Sequence, residues 1–354
     1  MTAPDRPTRI AVEALDDGNR AAVIAFTNRH QDRPQTAEYE RWRYQDCPTM
    51  QATVAMAGRE CIATMFALRR SYRTTAGERV MLEPFEWHAS EDWRAQAPGL
   101  RLVKHYMRGD LPLIAVAGTD MAAGLLVRLK WTQLGMVERF ALPLSGRYLA
   151  GRGRSALVAR IFDVAGRAYF TPRRVRRPTL SVEPAGSAAP AVAALVAGQR
   201  RFALMRVPDA PTARWLLRAP ASLGAYLTFH ARLEGALVGW VSARVFPHGS
   251  LLFGELLEVF LADHARAHYR ELVAQVSATL AGFGADVLTA ATTCPDTIAA
   301  LRASRFRPDD RRPAFVWWGD GPVPEGPVLI DGAISDHAFF PQQTAERSTW
   351  LEGG

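Results

Sequence analysis

The segment Arg94-Ala95-Gln96-Ala97-Pro98-Gly99 holds the residue types that can seat a phosphate. Small residues there let a backbone approach a ligand closely. The segment lies between a predicted strand and a predicted amphipathic helix, whose first turn offers unpaired N–H groups and a partial positive charge. Together these make a cradle for a pyrophosphate, and arginine suits it because its planar fork binds two oxygens at once. Metal chemistry has no comparable signal. His30, His105, His230 and His264 show no ligand spacing. Cys47, Cys61 and Cys294 are odd in number, form no Cys-x-x-Cys, and read as free thiols of a reducing cytosol.

The periodicity outlines a scaffold for that segment. Residues 9–13 read as a strand, 19–28 as a helix, and 36–44 as a short helix ending before Cys47-Pro48. Strands follow near 52–56, 61–69 and 79–87, the first two joined by a turn at Gly58. A helix over 99–107 puts Leu102, Val103, Tyr106 and Met107 on one face. Leu113–Val116 is a short buried strand. Thr119 or Asp120 then caps a helix striped by Met121, Leu125, Leu126 and Leu129, and a strand over 131–142 closes the series.

A similar series returns. Arg41-Trp42-Arg43-Tyr44 is echoed by Arg214-Trp215-Leu216-Leu217, with Pro48 and Pro220 soon after. The hairpin at Gly58 is echoed around Gly235, between strands at 226–233 and 237–245. The unit ending at Trp131 is echoed by a strand at 286–293 and a helix that starts at Pro295 and ends near Phe306. The offsets are 173 (Arg41 to Arg214), 177 (Gly58 to Gly235) and 175 (Trp131 to Phe306). A near-constant offset predicts a duplicated domain, and 354 residues exceed one typical domain. The expected fold is α/β (α+β): two tandem domains, each a mixed, mostly antiparallel sheet flanked by helices. They span 1–147 and 179–320, with a linker at 148–178 and an extended tail at 321–354. Within the linker, 156–162 reads as a short helix.

The net charge is +8, almost all of it arginine, since Lys104 and Lys130 are the only lysines. This usage suits a GC-rich bacterial genome. Apart from Arg173, Arg174, Arg176 and Arg177 the arginines are scattered, and only Tyr169 and Phe170 lie near that cluster. It reads as a solvated linker, and no nucleic-acid partner is expected. Residues 1–20 lack the apolar core of a signal peptide, and no run reaches the roughly 18–20 apolar residues that cross a bilayer. The expectation is a soluble cytoplasmic protein with no membrane partner.

In its context the phosphate segment resembles the coenzyme A loop of the GNAT acyltransferase superfamily, Gln/Arg-x-x-Gly-x-Gly/Ala. Arg94, Ala97 and Gly99 fall on the three fixed positions, Ala97 replaces the more usual first glycine, and Pro98 has no N–H to offer. The order strand, loop, helix, short strand, helix is that of a GNAT core. The resemblance covers about residues 8–145 and, less clearly, 179–318, and is to two-module bacterial members in particular. The matching stretch of the second half, His264-Ala265-Arg266-Ala267-His268-Tyr269-Arg270, has no glycine. The second half is therefore expected to be a scaffold, an acceptor-binding wall or a pseudo-dimer partner. The opposite assignment stays open, because a helix N-terminus can hold phosphate without glycine.

What the resemblance implies is an N-acyltransferase using acyl-CoA, with acetyl-CoA as the expected co-substrate and no metal. The acceptor would be an amine of a small molecule or peptide. Arg94, Gln96, Ala97, Gly99 and Leu100 would hold the cofactor, whose pantetheine arm runs between the fourth and fifth strands. A carboxylate removes the amine proton, a fourth-strand N–H stabilises the oxyanion, and a tyrosine or water protonates the thiolate. Candidate bases are Glu83, Glu86 and His88, on or beside the strand at 79–87. Alternation puts Glu83 and Glu86 on opposite faces, and Glu86 with His88 on one. Glu255 and Glu258 hold similar positions in Leu251–Leu261. No tyrosine occurs in 120–130, which leaves Tyr148, just past the first domain, to reach back as the acid. Two alternatives stand beside this reading: a non-catalytic tandem GNAT fold, and a transferase using aminoacyl-tRNA, which would need a continuous basic groove. A monomer with pseudo-dimeric modules is expected.

Overall fold

Apolar alternation makes β1 (Ile10–Ala14) and β2 (Met50–Ala57) an antiparallel pair. Two helices, α1 (Arg20–Arg29) and α2 (Ala37–Tyr44), cross between them. Thr36 starts α2 by accepting the N–H of Tyr39 at 3.2 Å. Gly58, at φ 62°, turns β2 into β3 (Glu60–Thr74), which pairs with β4 (Gly77–Ala89). A 3-10 turn at Glu91–Gln96 leads into α3 (Pro98–Met107). Then come β5 (Leu113–Val116), α4 (Asp120–Arg128), capped by Thr119, and β6 (Thr132–Pro143). In this computed structural model the described residues are 9–30, 35–166, 178–186, 190–319 and 321–334. The Arg173–Arg177 cluster, Tyr169, Phe170 and the tail beyond residue 334 lie outside them.

After two short helices, α5 (Gly146–Gly151) and α6 (Ala156–Ile161), the same order of elements returns. It runs β7 (Leu180–Pro184), α7 (Pro190–Gly198), α8 (Ala210–Leu217), β9 (Ala225–Leu233), β10 (Ala236–His248) and β11 (Leu251–Leu261). A second 3-10 turn at Asp263–His268 precedes α9 (Tyr269–Gly282), β12 (Val287–Thr292), α10 (Pro295–Ala303) and β13 (Arg307–Trp317). Two short strands are additions that periodicity does not show: β8 (Leu204–Arg206) and β14 (Val328–Leu329), which pair with each other while β8 also pairs with β3.

One mixed sheet joins both halves, in the order β1-β2-β3-β4-β5-β13-β6-β12-β11-β10-β9-β7. The last strands are exchanged. β13 pairs with β5 of the first half, β6 pairs with β12 of the second, and β6 and β13 pair with each other. On one face Leu102, Val103 and Tyr106 of α3 and Leu126 of α4 pack on Ile62, Met65 and Phe315. Met121, in the first turn of α4, is 74% exposed and takes no part in that stripe. On the other face α1, α2 and α8 bury Val23, Phe26, Tyr39, Trp42 and Trp215 against Phe66, Leu68 and Phe85.

Trp42 and Trp215 meet at the centre of that face. Their rings stack at 4.3 Å and 8°. Each indole N–H donates to the other residue's carbonyl, at 2.9 Å from Trp42 and 2.8 Å from Trp215. A reciprocal contact of this kind, where i meets j as j meets i, is the mark of a two-fold relation. Such a stacked pair adds about 0.5–1.5 kcal/mol beyond its area burial.

Candidate functional site

β4 and β5 run parallel but share a single paired position, Leu82 with Leu113, and then diverge. The mouth of that cleft is where the 3-10 turn and α3 begin. Arg94, Ala95 and Gln96 are exposed there, and Ala97 adopts a left-handed φ of 49°. Since α3 starts at Pro98, the N–H groups of Gly99 and Leu100 have no partner inside the helix. Arg101, which the sequence reading did not single out, folds back so that its Nε donates to the Gln96 carbonyl at 3.2 Å. Two guanidiniums thus flank the turn.

Gly99 serves differently from expectation. It is buried, and a Cβ built on it would lie 2.9 Å from Trp87 Nε1 and 3.4 Å from Ala89 Cβ. The Trp87 indole also donates to the Gly99 carbonyl at 3.1 Å. Its small size therefore lets α3 seat against β4, and the approach it permits is that of Trp87.

The glutamates require a correction. Phe85 faces Phe66 and His88 faces Thr64, so three steps on β4 match two on β3. The extra residue is a β-bulge, with Glu86 at φ 47°. The bulge reverses the alternation, and Glu83 and Glu86 both turn to the face covered by α2 and α8. β11 repeats this: Glu258 faces Ser242 and Leu256 faces Ala243, so one residue is again extra, and Glu255 and Glu258 share that face. Alternation alone could not reveal an extra residue.

The four carboxylates have distinct partners. Glu86 lies 3.0 Å from Arg43 Nη2, both side chains being 2% exposed. Arg43 also sits 5.0 Å over the Phe85 ring and donates to the Tyr39 hydroxyl. Glu255 accepts from Arg244 Nη2 at 2.8 Å. Glu83 accepts the Tyr72 hydroxyl proton at 2.6 Å through Oε1. Its Oε2 is buried without a hydrogen bond, 3.9 Å from Arg70 Nε and 3.7 Å from Arg206 Nη1. Glu258 binds Arg206 Nη2 and accepts Trp240 Nε1 at 3.2 Å. Burial, and then Glu83, push the Tyr72 hydroxyl well above its usual range. Burial and then Glu258 do the same to the Asp331 carboxyl, 3.8 Å from Arg206. Burial, then His30 and Arg43, lower His88 to about 4. Its ring stands 5.6 Å from that of His30 and is neutral at pH 7, while Glu86 engages Arg43, so Glu86 and His88 share a face but not a partner. Arg43, Tyr72, Arg70, Arg206, Arg244 and Asp331 were missed by the sequence reading. Arginines in the otherwise apolar strands β3 and β10 were the available signal, since a buried guanidinium needs a carboxylate.

Tyr148 does not reach back. β6 enters the second half's sheet, Pro143 pairing with Val287, and carries the chain after it there. Tyr148 packs on Ala141 and Val287, and its hydroxyl accepts from Arg152 at 3.0 Å.

The second half has its own divergence, between β11 and β12, and the chain fills it. Thr293 N–H donates to the Ile330 carbonyl at 2.8 Å, Ile330 N–H donates to Thr293 Oγ1 at 2.9 Å, and Thr292 pairs with Asp331. At the adjoining start of α9, Arg201 donates to Asp296 at 2.5 Å and to the Tyr269 hydroxyl at 2.9 Å. Among the described residues no His, Cys, Asp and Glu cluster could hold a metal, and no helix is long and apolar enough to cross a membrane.

No family model and no curated protein matches the chain. Solved structures do. N-myristoyltransferase of Saccharomyces cerevisiae with bound myristoyl-CoA superposes with a TM-score of 0.61 at 13% identity, over 89% of this chain and 83% of that one. A probable N-acyltransferase from Enterococcus faecalis gives 0.59 at 8% identity, over 88% and 73%. A GCN5-related N-acetyltransferase from Anabaena variabilis gives 0.58 at 9%, over 87% and 72%. The chain has the GNAT superfamily fold: a large mixed sheet flanked by helices.

Proposed function

We propose that this protein is an acyl-CoA-dependent N-acyltransferase built from two tandem GNAT-like modules, with acyl-CoA held by the first and an amine of a small molecule or peptide as acceptor. The observation that carries the reading is the contrast between the two clefts. The one between β4 and β5 opens onto Arg94, Gln96, Arg101 and the first-turn N–H groups of α3, whereas its counterpart is filled by Ile330 and Asp331 and by Arg201. Three of the superposing proteins are named as acyltransferases, one with myristoyl-CoA bound, which supports the donor class. Acetyl is the acyl group we assign. Near-equal spacing of the echoed motifs and the reciprocal Trp42–Trp215 bonds support the modules, divided as 1–147 and 179–320.

In this reading Arg94, Gln96, Ala97 and Leu100 hold the pyrophosphate through charge and backbone donors, and Gly99 fixes the helix that presents them. Glu83, one step beyond the last paired position of the cleft, takes the amine proton. Its hydrogen bond to Tyr72 gives a route by which a proton can reach the departing thiolate. Glu86 is an ion-pair partner that shapes the bulge, which leaves one residue without a ladder partner and so frees a backbone donor for the oxyanion.

The test is a thermal shift with acetyl-CoA, myristoyl-CoA and free CoA on wild type and Arg94→Glu. A ligand at 100 times its Kd stabilises by about 2.7 kcal/mol. Wild type should shift and the variant should not. Equal shifts in both would put the donor elsewhere, and no shift in either would favour a non-catalytic GNAT fold.

A further inference from the structure

After β6, α5 and α6 form a helical hairpin. Its lock is Gly146. A Cβ there would collide with the Ala159 carbonyl, so glycine lets the two helices close. The Gly146 N–H also donates to Asp163 Oδ1 at 2.6 Å. These contacts fix which side of α6 turns inward, and Ala159 and Phe162 are buried on it.

The outward side is apolar. Leu157, Val158 and Ile161 share it at the spacing i, i+1, i+4, and Val164, in the π-helical turn Phe162–Gly166 that continues α6, follows at i+7. Their exposures are 68%, 45%, 57% and 83%. Single exposed aliphatics are ordinary, but a contiguous group on one side of a helix marks an interaction site.

The charge around this patch has one sign. From Gly146 to Gly166 the chain carries Arg147, Arg152, Arg154 and Arg160 against Asp163 alone, which already accepts the Gly146 N–H. Arg147 and Arg152 have carboxylates within reach, Asp286 and Asp309. Arg154 and Arg160 are exposed and form no ion pair among the described residues. Arg160 borders the patch, one helical turn from Leu157. The sequence that follows, residues 167–177, adds five arginines and no acid.

Charge, size and residue type select the partner. Two copies meeting through this face would bring like charges together, which disfavours self-association. Residues 156–166 are about 16 Å long and about 10 Å wide, well short of the roughly 800 Å² per partner of a stable protein interface. The patch also lacks the aromatic anchors that dominate such interfaces. A bilayer needs no complementary shape: an aliphatic face enters the acyl boundary while flanking arginines meet anionic headgroups. A helix lying on a surface has no spanning run, so the expectation of no membrane partner, which came from spans, does not bear on it.

We propose that α6 docks this protein reversibly on an anionic lipid surface, with Leu157, Val158, Ile161 and Val164 in the acyl boundary and Arg154 and Arg160 at the headgroups. The proposal is independent of the acyl-transfer reading.

Vesicle flotation of the full chain tests it, on phosphatidylcholine and on phosphatidylcholine mixed with phosphatidylglycerol. The protein should float with the mixed vesicles at low salt, and far less with phosphatidylcholine alone or at high salt. Leu157→Asp should lower the partition about tenfold or more, the range for one aliphatic side chain. Its carboxylate would lie in the first turn of α6, where negative charge suits the helix, so the melting temperature should hold. Arg154→Gln with Arg160→Gln should lower the partition about fivefold per arginine, on mixed vesicles only. Met121→Asp, at a position 74% exposed outside the patch, should change nothing. Equal flotation with both vesicle types, flotation with neither, or flotation undiminished by Leu157→Asp would each overturn the proposal. Dimerisation abolished by Leu157→Asp, or salt-sensitive binding of polyglutamate without flotation, would give the face to a second copy or to an acidic protein and overturn it equally. No CoA enters these experiments, so a missing CoA thermal shift would remove the acyl-transfer reading and leave the docking face.

Discussion

Replacing Arg43 with methionine should destabilise the protein far more than replacing Arg43 and Glu86 together. Both side chains are 2% exposed and lie 3.0 Å apart. Removing one partner leaves the other charge buried, at a typical cost of about 3–5 kcal/mol. Removing both, as Arg43→Met with Glu86→Leu, exchanges an ion pair for apolar volume and is often neutral. The double variant should therefore recover most of the loss. The pH dependence follows with a definite sign. With Arg43 gone, burial of Glu86 raises its folded-state pKa above the unfolded value. The folded single variant then holds more protons than the unfolded chain, so its deficit against wild type shrinks as pH falls from 7 towards the unfolded carboxylate range. Urea unfolding followed by circular dichroism at pH 7 and pH 5 measures this for wild type, both single variants and the double. A loss below about 1 kcal/mol for Arg43→Met, the range of an exposed pair, would refute the claim that Glu86 is a closed structural partner and return it to the list of bases.

Glu83→Gln should lower kcat by about 10²–10⁴-fold with little change in the acyl-CoA thermal shift; loss of the shift would make Glu83 a binding residue. Gly99→Ala should displace the Trp87 indole, whose Nε1 would be 2.9 Å from the new Cβ; overpacking of this kind costs about 1–3 kcal/mol, read as a lower melting temperature with altered tryptophan fluorescence. His88 has its folded pKa depressed to about 4, so it contributes stability that is present above the unfolded value near 6.5 and lost as pH falls from there towards 4. His88→Leu should flatten that part of the stability profile, and an unchanged slope in urea titrations would count against the burial assigned to it.

What the sequence revealed and what it hid divide by how local the cause is. Turns at Gly58 and Gly235, the cap at Thr119 and the strands Leu113–Val116 and Leu251–Leu261 follow from residues next to one another, and each stands where periodicity puts it. The echo of Trp42 in Trp215 was legible as spacing, but its reciprocal hydrogen bonds were not. The bulge at Glu86 depends on the register against β3, and a glutamate at positive φ gives no glycine to announce it. Tyr148 was misplaced because the exchange of β6 and β13 is a pairing across the whole chain. Gly99 was legible as a place of close approach, but only the fold shows that Trp87 is what approaches.

The exchange of β6 and β13 also sets a timetable for the chain as it leaves the ribosome. β5 and β6 are made early, yet both bond to β13, which begins at Arg307, and β6 bonds also to β12. Until nearly the whole chain has emerged, the nascent first half shows bare strand edges, the templates on which chains aggregate. Messages cut short anywhere before β13 should yield insoluble fragments and no autonomous first module. An organism making this protein then has reason to translate that stretch quickly or to keep a chaperone waiting for it.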